Sequence, residues 1–339
     1  MKNEFDVIRK IYSRLSDDKS KRIFCNRLNY NLSNSKEDLF KLVSEAEGLE
    51  KFPKQICKSN NILFGAGARA QSLLAFYSDE IIALVDSDTS KQGSYICQKP
   101  ILSPDVLKEK YLESNIIVAN TFNSEEIVNQ LYELGVQKER IINIGESLNE
   151  LNRTQYFGLR ELSCEKEEEV FIDAGCYDGV TVQYFLKWCS SKDYKIYSFE
   201  PDDENYKKIC DKQCEKWEII NKGLWGSTRQ LSFNSNSNSS RVSTNGTGDT
   251  AVEVISLDDF IRDKKVTFIK MDIEGAEYEA LLGAKRIIIE QKPKLAICVY
   301  HKPEDIIDIP QIILSFNQEY KLYLRHYWAT PYETVLYAI

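Results

Sequence analysis

Apolar residues recur first at helical spacing and then in short runs. Ile8, Ile11, Tyr12 and Leu15 fall three or four positions apart, which predicts an amphipathic helix that ends at Ser16 or Asp17. A second helix is predicted after Ser35, where Ser35-Lys-Glu-Asp38 resembles a capping box with Asp in the usual Glu place. Its apolar positions are Leu39, Leu42 and Val43. No strand pattern precedes this point, so residues 1–58 read as a helical lead-in that packs on the next domain or on another subunit.

From residue 59 to 147 strand and helix patterns alternate. Strands are predicted at Asn61–Phe64, at Ile81–Val85 before Asp86, at Asn115–Ala119 and at Arg140–Ile144. One helix follows Gly65-Ala-Gly67 and runs through Leu74; another spans Glu125–Leu134 and stops at Gly135. The alternation predicts a small parallel sheet with about four strands. Residues 148–168 are polar, with a charge run from Glu165 to Glu169, and are expected to be a linker.

A second alternating unit occupies residues 169–339. Its predicted strands are Val170–Asp173, Lys195–Phe199, Trp217–Asn221, Val266–Met271 and Leu295–Tyr300, closed by an antiparallel pair, Lys321–Leu324 and Thr334–Ala338. The expected fold class is therefore α/β, with a mostly parallel sheet carrying an antiparallel C-terminal edge. Ser232 to Thr250 is rich in Ser, Asn and Gly, and reads as a loop or an active-site lid.

Composition narrows the function classes. The 339 residues suggest about two domains. Net charge is −8 and no basic run occurs, so no nucleic-acid partner is expected. No apolar run approaches the ~20 residues that span a bilayer, and the charged N-terminus lacks a signal-peptide core, so a cytoplasmic protein is expected. The nine cysteines are scattered. Cys210 and Cys214 lie four apart on a predicted helix, but only His301 and His326 remain to complete a zinc site, so reduced thiols are the expectation. The acidic average leaves a small anionic partner such as a nucleotide sugar open, as well as a homo-oligomer.

Candidate chemistry concentrates after residue 170. A buried strand runs into Asp173, and Gly175 and Gly179 bracket a turn before a helix starting near Thr181. Glycines let a ligand approach the backbone closely, and the helix start adds N–H donors. Such a loop, with Tyr177 inside it, can hold a pyrophosphate or the methionine end of S-adenosyl-L-methionine. The carboxylate of Asp173 favours the second, since it would repel a pyrophosphate but bind an ammonium group directly or through water. Glu200 ends the next strand, where an acidic residue accepts hydrogen bonds from ribose hydroxyls. Lys270, Asp272 and Glu274 alternate at the end of the fourth strand. Three charges there are costly unless they face a site or each other.

The set FIDAGCYDG, SFEP, SLDDF and FIKMDIEGAE, with LAICVYHKP after it, resembles the FkbM family of methyltransferases. The resemblance covers about residues 168–339. It implies a class I methyltransferase Rossmann-like sheet, S-adenosyl-L-methionine as methyl donor, and O-methylation of a sugar or natural product. Cys176-Tyr177 departs slightly from the small residues, Asn or His common in the loop.

Methyl transfer to a hydroxyl requires alignment and removal of a proton. His301 follows the fifth strand and is the first candidate base, or else it caps the following helix. Asp272 and Glu274 are further catalytic candidates. They act as base, bind the acceptor, or hold a divalent ion with Asp202 or His301; a metal-independent site is the expectation. His326, Tyr327 and Arg241 are candidates for the acceptor pocket. In the first sheet, Gly65-Ala-Gly67-Ala-Arg-Ala70 with Asp86 suits a dinucleotide or nucleotide sugar. It keeps open a nicotinamide-dependent sugar-nucleotide oxidoreductase, although no hydride-transfer set accompanies it. A non-catalytic binding protein is the remaining alternative.

Overall fold

Short apolar runs between residues 61 and 143 form the centre of a sheet in the computed structural model, which describes residues 4–57, 60–165, 167–234, 241–242 and 250–339. The chain divides into two compact units. One comprises Cys25–Arg153 and His326–Glu333. Its six strands are β1 (Asn61–Phe64), β2 (Ile81–Val85), β3 (Tyr95–Ile96), β4 (Lys99–Leu102), β5 (Asn115–Val118) and β6 (Ile141–Asn143), in the order β3-β4-β2-β1-β5-β6. All neighbours pair in parallel except β3 with β4. Ile62, Phe64, Val85, Ile116, Val118 and Leu131 form its core.

Four of these strands are the expected ones; β3 and β4 are additional. Their hairpin turns at Cys97 and Gln98, both left-handed at φ 47° and 65°. A two-residue hairpin favours that geometry, but Asn or Gly usually marks it in sequence. Here neither does.

The other unit comprises Met1–Phe24, Thr154–Arg325 and Thr334–Ile339. Its main strands are β7 (Glu168–Ala174), β8 (Asp193–Phe199) and β9 (Trp217–Ile220). A side sheet follows, with β10 (Gly223–Leu224), β11 (Arg229–Asn234), β12 (Arg241–Val242) and β13 (Thr250–Ile255). Then come β14 (Phe268–Met271), β15 (Lys294–Cys298), β16 (Leu322–His326) and β17 (Thr334–Ala338). The main sheet runs β16-β17-β15-β14-β7-β8-β9. β7, β8, β9, β14 and β15 are parallel, and β17 is antiparallel to β15. This is the class I methyltransferase Rossmann-like arrangement, with the antiparallel edge where the sequence places it. Residues 170–174 of β7 are buried without alternation, because a central parallel strand is covered on both faces. Phe171 stacks on Phe185 at 4.6 Å, and Phe157 packs edge-on against Phe171 and Phe268.

Three expectations differ from the structure. The stretch 148–168 is not a free linker: a helix continues to Thr154, and Tyr156, Phe157, Leu159 and Leu162 are buried. Those apolar residues are widely spaced among polar ones, which hides them in the sequence. The lead-in is divided between the units. In the unit containing β16, the helix Glu4–Arg14 is followed by Leu15, which bridges to Leu322, and Asp17 pairs with Arg325 at 2.7 Å. In the other unit, the helix Lys36–Val43 is capped by Ser35, whose hydroxyl accepts from the Asp38 N–H. Finally, the Ser232–Thr250 stretch begins inside β11, which pairs antiparallel with β13. Residues 235–240 and 243–249 lie outside the described residues. Among the described residues, no helix is long and apolar enough to cross a membrane.

Candidate functional site

The C-terminal ends of β7, β8, β14 and β15 bring one set of charged side chains together, at the edge where open α/β sheets bind ligands. After β7 the chain turns through Gly175, Tyr177 and Gly179, all left-handed at φ 73°, 47° and 75°. Gly175 is required by space as well as by φ. A Cβ there would sit 1.9 Å from the Asp272 carbonyl oxygen. Tyr177 holds its left-handed backbone without being glycine, a conformation that costs about 1–3 kcal/mol and clusters at binding sites. Its side chain is 48% exposed. Thr181 lies in the first turn of the helix Val180–Trp188 and is buried.

Glu200, after β8, is tied to that loop. Its Oε2 accepts from the Tyr177 N–H at 2.9 Å, and its Oε1 from the Asp202 N–H at 3.0 Å. Burial raises its pKa, and those two amides act against the rise. Asp202, an alternative metal ligand from the sequence, instead caps the helix Asp203–Ile209 by accepting from Glu204 and Asn205. Trp217 of β9 closes the far side of the loop: its ring lies against Gly179, and its Nε1–H donates to Ser198 Oγ at 2.8 Å.

Asp173 is 0% exposed. Its carboxylate faces Lys270 Nζ at 3.1 Å, and that ammonium also donates to the carbonyls of Ala174 at 3.0 Å and Gly175 at 2.7 Å. The carboxylate expected from the sequence to bind a ligand ammonium directly or through water thus has an internal lysine as its neighbour. Burial works against the charge on Lys270, but Asp173 and Asp272 more than offset it and hold the ammonium protonated.

Beyond Lys270, Asp272 receives two hydroxyls. Tyr156 donates to Oδ2 at 2.9 Å and Tyr300 to Oδ1 at 3.0 Å. Burial opposes its charge, and Lys270, His301 and the two tyrosines still leave its pKa below the ordinary value. Glu274 is left-handed at φ 56°. His301, its side chain 3% exposed, stands between carboxylates. Its Nδ1 is 3.0 Å from Glu277 Oε1, and its Nε2 is 3.4 Å from Asp272 Oδ1 and 3.8 Å from Glu274 Oε2. Burial favours the neutral ring, but Glu277, Asp272 and Glu274 outweigh it and push its pKa up to about 9. Glu277 is itself buried and accepts from the Ile273 N–H at 2.8 Å.

The other candidates lie elsewhere. His326 and Tyr327 belong to the unit of residues 25–153 and 326–333, and both are buried there. Burial, then the Arg27 charge, lowers the His326 pKa to about 3, so it is a neutral core histidine with no face for an acceptor. The backbone of Arg241 lies in β12; its side chain is outside the described residues. Cys210 begins a 3₁₀ turn rather than continuing a helix, and no disulfide joins cysteines among the described residues. In the first sheet, the Ala66 N–H donates to Asp86 Oδ2 at 2.8 Å, so the loop amide at Gly65–Gly67 already has an anion from its own chain. Tyr156 and Tyr300 were not anticipated. Tyr300 stands beside His301 in sequence, a usable signal, whereas Tyr156 comes from the stretch read as a linker.

Residues 173–323 match the family described as Methyltransferase FkbM domain, and residues 57–142 match the one described as C2185-like, N-terminal. No curated protein matches the chain. The crystal structure of a methyltransferase FkbM from Methylobacillus flagellatus KT is similar in fold, with TM-score 0.50 and 20% identity over 91% of this chain and 100% of that one. Fibrillarin from Aeropyrum pernix, in complex with natively bound S-adenosyl-L-methionine, gives TM-score 0.37 and 11% identity over 56% of this chain and 74% of its own. A putative methyltransferase from Streptococcus mutans, in complex with SAH, gives 0.32 and 12% over 56% and 97%. Residues 173–323, carried on a class I sheet, are thus similar to the FkbM methyltransferase domain.

Proposed function

We propose that the chain is an S-adenosyl-L-methionine-dependent methyltransferase that acts on a hydroxyl of a sugar or sugar-linked small molecule. One observation carries the reading: Glu200 is bonded to the glycine-loop amide of Tyr177, while Asp272, Glu274 and His301 gather at the same sheet edge. The donor set fits the cofactor. Glu200 retains acceptor capacity for ribose hydroxyls beyond the two amides it binds. The backbone of Gly175–Gly179 and the helix start at Thr181 suit the methionine end. Asp173 supports that loop through Lys270 rather than by direct contact. When bound, the cofactor supplies a methyl group already activated by its sulfonium charge.

Asp272 and Glu274 then orient the acceptor hydroxyl, since carboxylates accept hydrogen bonds from sugar hydroxyls. His301, held by Glu277, is the group placed to receive the hydroxyl proton. With a pKa near 9 it holds a proton at neutral pH, so the base role needs that proton to leave first. Neither nucleic acid nor a membrane is a partner in this reading, and the protein works in the cytoplasm.

The test is calorimetric titration of the purified chain with S-adenosylhomocysteine, with NADH in parallel. Micromolar binding of the first alone supports the reading and justifies screening sugar acceptors for a methyl mass increment. Binding of NADH alone would move the active site to Gly65–Gly67.

A further inference from the structure

We infer that Asp272, Glu274 and His301 form a divalent-cation site, with Glu277 fixing the histidine from behind. The inference rests on the methyltransferase reading only for its purpose; the site itself is argued from geometry. Among the described residues, Asp272, Glu277 and His301 are a group whose ligand atoms all lie within 4.8 Å of one another. Glu274 lies outside that group but reaches the same ring. Nδ1 faces the buried Glu277 at 3.0 Å, and Nε2 lies near Asp272 and Glu274 at the strand end.

That is the arrangement of a metal-ligating histidine. Such a ring donates its other N–H to a carboxylate, which sets its tautomer and orientation. Donor atoms about 2.0–2.3 Å from a common ion stand about 3–4 Å from each other. Nε2 lies 3.4 Å from Asp272 Oδ1 and 3.8 Å from Glu274 Oε2. Both ring nitrogens are buried and neither makes a hydrogen bond among the described residues, so Glu277 holds Nδ1 by charge at 3.0 Å and Nε2 is left for a ligand. The hydroxyls of Tyr156 and Tyr300 fix the Asp272 carboxylate, as supporting groups fix a ligating one.

Charge points the same way. Asp272, Glu274, Glu277 and Asp305 surround His301, and Glu277 Oε2 is buried without a hydrogen bond. Lys270 is occupied by Asp173 and by two carbonyls. The four carboxylates outnumber the imidazole and the nearby Lys302, and buried carboxylates are ordinarily paired or bound to metal. Two carboxylates and one imidazole suit Mn²⁺ or Mg²⁺ and leave coordination positions for acceptor oxygens. With Nε2 as a ligand, His301 would no longer be the base; an ion there would instead lower the pKa of a bound hydroxyl and ease its loss of a proton to solvent.

The test is titration of the metal-stripped full chain with Mn²⁺, read by loss of the free-ion paramagnetic resonance signal. S-adenosylhomocysteine calorimetry is run on the same samples. The expected result is one bound Mn²⁺ per chain, with affinity falling at least about tenfold in Glu274→Gln and in His301→Ala. Glu274 is partly exposed, so its amide variant should fold. No binding at millimolar Mn²⁺ would overturn the site and leave His301 as a protonated bridge between carboxylates. Binding unchanged in both variants would also overturn it, by placing the ion elsewhere. S-adenosylhomocysteine binding without Mn²⁺ binding sinks the cation site alone; the converse sinks the methyltransferase reading alone.

Discussion

Lys270 Nζ lies 3.1 Å from Asp173 Oδ1, with both side chains almost fully buried, and it donates from there to two carbonyls at the start of the glycine loop. One buried ion pair thus couples the end of β14 to the turn after β7. Lys270→Met leaves a buried carboxylate without a counter-charge and should destabilise by about 3–5 kcal/mol. Asp173→Asn added to it should recover part of the loss. Urea unfolding measures both, and a single-variant loss under about 1 kcal/mol would show that the pair does not hold the loop.

Gly175 and Gly179 should respond differently to alanine. At Gly175 the new methyl meets backbone, 1.9 Å from the Asp272 oxygen, at φ 73°. At Gly179 it meets only the Trp217 ring at 3.1 Å. Gly179→Ala should therefore cost about 1–2 kcal/mol, the ordinary left-handed penalty. Gly175→Ala should cost more and abolish S-adenosylhomocysteine binding. Denaturation and calorimetry on both variants check the order.

Tyr156 and Tyr300 each give Asp272 one hydrogen bond. A hydrogen bond to a charged group contributes about 1.5–3 kcal/mol. Tyr300→Phe should lower kcat/KM for methyl transfer by about tenfold to a hundredfold. Tyr300 touches Asp272 rather than the Glu200 turn, so S-adenosylhomocysteine affinity should stay within about twofold. Equal losses in both quantities would mean that Tyr300 supports the fold more than the reaction.

His326 makes stability depend on pH. Its folded pKa is near 3, below the ordinary 6.5, so the unfolded chain binds the proton first. The stabilising contribution is complete above 6.5 and is lost as pH falls toward 3. At pH 5 this amounts to about 2 kcal/mol relative to pH 8. His326→Gln should remove that share of the slope. His301, whose raised pKa acts in the opposite sense at high pH, is common to both proteins and cancels in the comparison. An identical pH slope in the two would contradict a buried neutral His326.

Glu200→Gln keeps shape but removes charge from the group that receives the Tyr177 and Asp202 amides. S-adenosylhomocysteine affinity should fall by about tenfold or more, as expected for loss of charge-assisted hydrogen bonds. An unchanged affinity would place the ribose elsewhere.

What the sequence by itself determined was local: continuous apolar runs, glycine turns, and charges at strand ends. The strands at 61–64 and 81–85, the cap at Ser35, and the loop from Asp173 to Gly179 all follow from neighbours in the chain, because strand burial, capping and left-handed turns are short-range. The resemblance read from FIDAGCYDG, SFEP and FIKMDIEGAE is local in the same sense, and residues 173–323 match the FkbM domain. Tertiary structure decided the partners. Nothing local pairs Asp173 with Lys270, brings Tyr156 to Asp272, sets Leu15 beside Leu322, or buries His326. Each contact joins residues far apart in sequence. Each exists because packing a sheet covered on both faces removes water from side chains that must then find one another.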